Sequence, residues 1–145
     1  MREIRRSAII PYPAEAMFDL VADVDAYIEF VPGCTLSRVE STERPDEVIV
    51  SLGLSQGGLS GQFTTRNRLQ RPHRIHMTLV DGLFSELEGD WEIEALGDDG
   101  CRLDLTLRFA FSNRIKDMLL GPVFEQTCSR LVDAFVARAG ELYGE

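Results

Sequence analysis

The sequence is poor in cysteine, histidine and positive charge, and it has no long apolar run. Its 145 residues include three cysteines, Cys34, Cys101 and Cys128. An odd, scattered set argues against a disulfide framework and suits a reducing compartment. Cys101 and Cys128 fall on the apolar faces of their elements and read as small core residues. No stretch approaches the roughly 20 apolar residues of a membrane-spanning helix. The opening Met1-Arg2-Glu3-Ile4-Arg5-Arg6 has no apolar signal core behind it. The expected location is therefore cytoplasmic, at most peripheral to the inner membrane.

The chemistry-bearing motifs are equally scarce. There are two histidines, His73 and His76. Three apart around the start of a strand, they point to opposite faces and make a poor metal pair. No phosphate-binding glycine loop, dinucleotide fingerprint or nucleophile elbow is present. These absences lead us to expect no catalytic residue, no metal site and no required cofactor. Lysine and arginine total 15 against 24 acidic residues, a net charge of −9. Such a chain has no general attraction for phosphate backbones, so DNA is not an expected partner. Its two local basic clusters, Arg2/Arg5/Arg6 and Arg66/Arg68/Arg71/Arg74, read as solvated faces.

What is present is a well-patterned globular chain, 44% hydrophobic and 27% charged. With no repeat, linker or low-complexity tract, residues 1–145 read as one domain. A first strand over Arg2 to Ile10 ends at Pro11-Tyr12-Pro13. Pro13 suits the first turn of a helix over Ala14 to Ala22. A second short helix, about Asp25 to Phe30, stops at Pro32-Gly33. Six strands follow, about Thr35–Glu43, Glu47–Leu54, Ser60–Gln70, Arg74–Val80, Glu86–Leu96 and Cys101–Phe111. The short breaks between them predict an antiparallel meander. The last strand alternates strictly, with Cys101, Leu103, Leu105, Leu107, Phe109 and Phe111 on one face and Arg102, Asp104, Thr106 and Arg108 on the other. A long amphipathic helix then runs to Tyr143. Its apolar set begins with Ile115, Met118, Leu119, Val123, Phe124 and Cys128. Pro122 predicts a kink or restart there, because it removes a hydrogen bond and clashes with the Met118 carbonyl.

An apolar helix stripe over a sheet with one apolar face gives a two-layer α+β domain of about seven strands. Such a grip can enclose a cavity instead of a solid core. The expected cavity residues are Phe63, Thr65, Asn67, Met77, Leu79, Trp91, Leu103, Leu105, Leu107 and Phe109 from the sheet, with Met118 and Phe124 from the helix. Thr65 and Asn67 are polar on an otherwise apolar face. They either meet a ligand headgroup or cavity water, or lie near the open end of a twisted strand. Trp91 reads first as core packing, with ligand stacking as the alternative. Leu59, beside a glycine-rich loop, and Leu83 and Phe84, in the Asp-Gly turn, are expected to dip into a membrane surface at the cavity mouth.

Pro13 to Val24, then Tyr27, Phe30, Pro32 and Cys34, resemble the opening of the coenzyme Q-binding family of START-like, polyketide-cyclase-like domains. Val80-Asp81-Gly82, Phe84, Leu87-Glu88-Gly89 and Trp91 resemble its middle motif. Gly121-Pro122-Val123-Phe124-Glu125 and Leu131-Val132-Asp133-Ala134-Phe135 resemble its terminal helix. Ile28, Gly33 and Leu83 stand where that family usually has proline, tryptophan and proline. The resemblance implies a helix-grip fold and a hydrophobic ligand such as ubiquinone or another polyprenyl lipid. Because the family includes ribosome-association toxins, it also implies the large ribosomal subunit as an alternative partner. A cyclase-type enzyme is the third and weakest implication.

Overall fold

The computed structural model describes residues 1–144. Strand β1 (Arg2–Ile10) leads into helix α1 (Ala14–Ala22), a 3-10 turn (Val24–Ala26) and the single-turn helix α2 (Tyr27–Phe30). Then come β2 (Cys34–Ser41), β3 (Glu47–Gln56), β4 (Leu59–Gln70), β5 (Arg74–Gly82), β6 (Phe84–Leu96), β7 (Gly100–Phe111) and α3 (Arg114–Tyr143). The strands form one seven-stranded sheet in the order β1-β7-β6-β5-β4-β3-β2. From β2 to β7 this is the antiparallel meander that short connections dictate. Strand β1 instead pairs with β7, placing Ile4 opposite Leu107 and Ile10 opposite Cys101.

The period of two decides which side chains face inward. Every apolar residue of the alternating β7 set is buried, from Cys101 to Phe111. The outer face carries charge in matched rows. Arg108 lies 2.8 Å from Glu88, Arg102 2.8 Å from Glu94, and Arg74 2.7 Å from Asp90. His76 also reaches Asp90, at 2.9 Å, which commits it to this outer row. The hairpin between β3 and β4 turns on Gly57 and Gly58, with φ of 56° and 90°. A two-residue hairpin that follows the strand twist needs positive φ at both centres, which glycine adopts without steric cost.

Helix α3 lies across the inner face. Asn113 caps it, its side chain accepting from the Lys116 backbone N–H at 2.8 Å. Gly121, Phe124, Thr127, Cys128, Val132, Phe135 and Ala139 form its buried stripe. At 3.6 residues per turn, Ile115, Met118 and Leu119 fall on the opposite side of the helix from that stripe. They are 70%, 65% and 66% exposed, so the expectation that they join the apolar core is corrected. The residue of the first turn that does face inward is Asp117, bonded to the Arg2 guanidinium and to the Phe111 backbone N–H, both at 3.3 Å. The helix neither breaks nor restarts at Pro122 but runs through it as one 30-residue element. Pro122 is on the exposed side, where water can satisfy the carbonyl group it leaves unpaired.

Candidate ligand-binding site

The inner face of the sheet has a solid end and a hollow end. At the solid end Phe84 is in ring contact with Phe63, Phe109, Phe111 and Phe124, at centroid distances of 4.9–5.9 Å. Phe109 and Phe124 are 4.7 Å apart in an edge-on arrangement. Most of these aromatic contacts are the edge-to-face type that the ring quadrupole favours.

At the hollow end the inner faces of β3, β4 and β5 stand away from α3. The cavity between them, mouth included, holds about 950 Å³ of atom-free space. That figure includes open solvent at the mouth; the volume comparable with those of known ligand cavities is about 90 Å³, below the roughly 300–1,000 Å³ of drug-sized sites. Strands β3 to β5 contribute Val48, Val50, Leu52, Leu54, Phe63, Leu69, Ile75 and Met77. Leu87 and Trp91 of β6 and Leu105 and Leu107 of β7 form the floor, and Phe124, Thr127, Cys128 and Leu131 of α3 form the roof. Val21, Val24, Tyr27 and Val31, with Cys34, close the side nearest the short helices.

Two polar side chains interrupt this lining on β4. Thr65 and Asn67 are 3% and 6% exposed, and the Thr65 hydroxyl donates to Asn67 Oδ1 at 2.7 Å. That bond orients the Asn67 amide, whose nitrogen has no protein acceptor among the described residues. The remaining polar groups are accounted for locally. Thr127 donates to the Val123 carbonyl at 3.0 Å, and the buried Tyr27 hydroxyl donates to the Val21 carbonyl. Burial pushes the Tyr27 phenol upward, with the nearby Asp23 charge adding to the effect. Burial likewise raises the Cys128 thiol to about 12 and the Cys34 thiol above its usual value, the latter opposed by its bond to the Leu36 carbonyl. The lining is therefore neutral at physiological pH. It contains no carboxylate, imidazole, ammonium or guanidinium group.

Several sequence expectations meet here. Phe63, Thr65, Asn67, Met77, Trp91, Leu105, Leu107 and Phe124 all line the cavity. Trp91 borders the cavity and packs edge-on against Phe135 at 5.3 Å. Leu103 and Phe109 do not line it. Both are fully buried where the sheet and helices close completely. Leu79, opposite Thr65 on β4 but past the last β5–β6 pair, Thr78 with Glu88, is half-buried and does not line the cavity. Met118 is on the outward side of α3. The mouth loops are also corrected. Leu59 is 1% exposed, because it continues the inward series of Gly61, Phe63, Thr65 and Asn67. Phe84 is 5% exposed and sits in the aromatic cluster, while Leu83 is half-buried against Gly61. None of the three is a free apolar tip.

The contributions of β3 and the short helices were not anticipated. Alternation over Val48, Val50, Leu52 and Leu54 was a visible signal for the strand. For Val21, Val24, Tyr27 and Val31 the signal was weaker, because their side chains converge only after two changes of chain direction.

The two basic clusters are largely compensated. Arg66 and Arg68 flank Glu47 at 3.6 and 3.8 Å, and Arg71 meets Asp19 at 2.9 Å. Arg2 bridges Asp117 and Glu125. Among the described residues no group of three or more His, Cys, Asp or Glu is placed to hold a metal ion. No described helix is long and apolar enough to cross a membrane.

A grip of sheet and helix around a neutral apolar cavity defines the class: a START-like domain. A family profile described as polyketide cyclase / dehydrase and lipid transport matches residues 10–136, and the chain belongs to that family. Within it, the ribosome association toxin RatA of Pseudomonas aeruginosa is 45% identical over 141 residues, covering 97% of each chain. A mitochondrial coenzyme Q-binding protein of Xenopus laevis is 28% identical, over 98% of this chain and 59% of that one. The solution structure of an 18 kDa protein of Caulobacter crescentus superposes with a TM-score of 0.81 at 29% identity, covering 100% of both chains. An aromatase/cyclase from Streptomyces reaches a TM-score of 0.83 at 19% identity over 95% of this chain and 93% of that one, a likeness of fold alone.

Proposed function

We propose that this protein binds a small apolar molecule with a hydrogen-bond-accepting headgroup, a polyprenyl quinone by class, and acts as its carrier. The observation that supports this most is the Thr65–Asn67 pair inside an otherwise apolar cavity. The Asn67 amide nitrogen borders the cavity and donates to no protein group among the described residues, so it is free to meet a ligand. A quinone carbonyl placed at Asn67 would accept from that nitrogen, and its tail would follow the apolar walls toward the mouth. Carriage fits better than catalysis, because the lining supplies no acid–base pair or nucleophile–base pair. Organic extraction of the purified protein followed by mass spectrometry tests the reading directly. A co-purifying quinone, or uptake of added short-tail ubiquinone that Asn67→Leu abolishes, is the expected outcome. A protein that arrives empty and takes up no quinone defeats it.

A second reading rests on the full-length identity to ribosome association toxins. In it the protein binds the large ribosomal subunit and blocks subunit joining. The test is sedimentation with purified subunits at low salt, where co-migration and a reduced fraction of joined ribosomes are expected. Protein that stays at the top of the gradient excludes it. Both readings place the protein in the cytoplasm.

A further inference from the structure

The outward side of the first turns of α3 carries Ile115, Met118, Leu119 and Pro122, all exposed. Their spacing is i, i+3, i+4, i+7, the pattern by which a helix presents one continuous apolar stripe. Here the stripe faces away from the core, whose contacts this helix makes with the opposite side. Arg114 and Lys116 fall at the two borders of the stripe, and neither has a carboxylate partner among the described residues. Most other arginines are paired, and the chain as a whole is strongly acidic. Apolar side chains at the centre with unpaired cations on both flanks make an interfacial surface. The apolar part enters the acyl boundary while the cations remain among the headgroups.

We propose that this turn of α3 docks the protein on an anionic lipid surface. The flanking cations favour that occupant by charge. A second copy of the chain is disfavoured, because four side chains fall well short of the roughly 800 Å² per partner that a stable protein interface buries. RNA would engage the cations and leave the apolar stripe wet. The segment is also held rigidly for docking, by the Asn113 cap and by Asp117, which is tied to Arg2. The stripe ends close in sequence to Phe124, which lines the cavity, so a docked helix holds the cavity roof near the bilayer. The proposal stands independently of what the cavity carries.

The test is flotation of the full chain with vesicles of phosphatidylcholine alone and of equal parts phosphatidylcholine and phosphatidylglycerol. Binding to the anionic vesicles only is expected. Replacing both cations in Arg114→Gln/Lys116→Gln should weaken it about 30-fold, since each charge near an anionic surface contributes roughly fivefold. Ile115→Ser/Leu119→Ser should abolish binding, and because both side chains are exposed the fold should persist. As a check that removes no apolar group, Leu119→Trp should shift its fluorescence to the blue on addition of anionic vesicles. Failure of wild type to float, or equal flotation of the serine variant, overturns the proposal. So does a Leu119→Trp spectrum that vesicles leave unchanged. Ribosome co-sedimentation lost with the cations but kept by the serine variant, without flotation, assigns the surface to RNA instead. Quinone uptake measured in detergent should be unaffected by all of these variants, so failure here and failure of the carrier reading are distinguishable.

Discussion

The solid and hollow ends of the inner face are built from the same kind of strand, yet they do different things. Strand β7 and the start of β6 alternate apolar with polar residues, and so do β3 and β4. At the end of β7 and the start of β6, Phe109, Phe111 and Phe84 meet one another and Phe124 of α3, and the space closes. Leu87, Leu105 and Leu107, farther along the same strands, floor the cavity. Along β3 and β4 the inward residues face a gap, and Val48, Leu52 and Leu69 stay only half-buried. Alternation determines which face is apolar; what stands opposite determines whether that face is core or cavity. The polar pair Thr65–Asn67 fits only at the hollow end, where a donor can be satisfied by something other than protein.

That contrast can be broken from the solid side first. Phe109→Ala should cost about 3–5 kcal/mol in denaturant unfolding, because a dense aromatic cluster relaxes little around a lost ring. A loss below about 1 kcal/mol would show that the solid end is loosely packed after all. Next in size is Asn67→Leu, which leaves the Thr65 hydroxyl without its acceptor. A loss of about 1–3 kcal/mol is expected for the empty protein. Thr65→Val/Asn67→Leu removes both partners and should be close to wild type in stability while losing quinone uptake. Equal uptake by the double variant and wild type would detach the pair from ligand recognition.

Leu52→Phe enlarges a residue that faces free space. Its stability should change by less than about 1 kcal/mol while uptake falls, whereas the same enlargement in a packed core costs about 1–3 kcal/mol. A cost in that higher range would mean the cavity is closed in solution. The mildest probe is thiol labelling. Cys34 borders the hollow end and is half-buried, whereas Cys101 and Cys128 are buried. Cys34 should react first and be slowed by bound quinone. Cys128, its thiol raised to about 12 by burial, should react only on unfolding. Simultaneous labelling of all three in native protein would contradict the burial of Cys101 and Cys128.

Much of this architecture was legible in the residues. Strong alternation and short turns located the strands of the meander, and Gly57-Gly58 marked a tight hairpin. The long helix was legible in its length, although its Asn113 cap and the extent of its buried side were not. Ile115, Met118 and Leu119 look like part of one stripe when apolar residues are simply collected. They separate from it only when the helical angle is followed from Phe124. Leu59 and Phe84 look like exposed loop residues because they sit beside Gly and Asp-Gly. Their strands begin earlier than the turn signals suggest, and the inward register buries them.

By itself, then, the sequence determined the elements, the face of each strand that avoids water, and the neutral chemistry of that face. These follow from local periodicity, and each acts within a few residues. Only the tertiary structure decided that β1 joins β7, that α1 and α2 close the side of the cavity, and which apolar positions line space and which fill it. Those outcomes depend on contacts between residues far apart in the chain, where a shift of one register or one helical turn changes what a side chain meets.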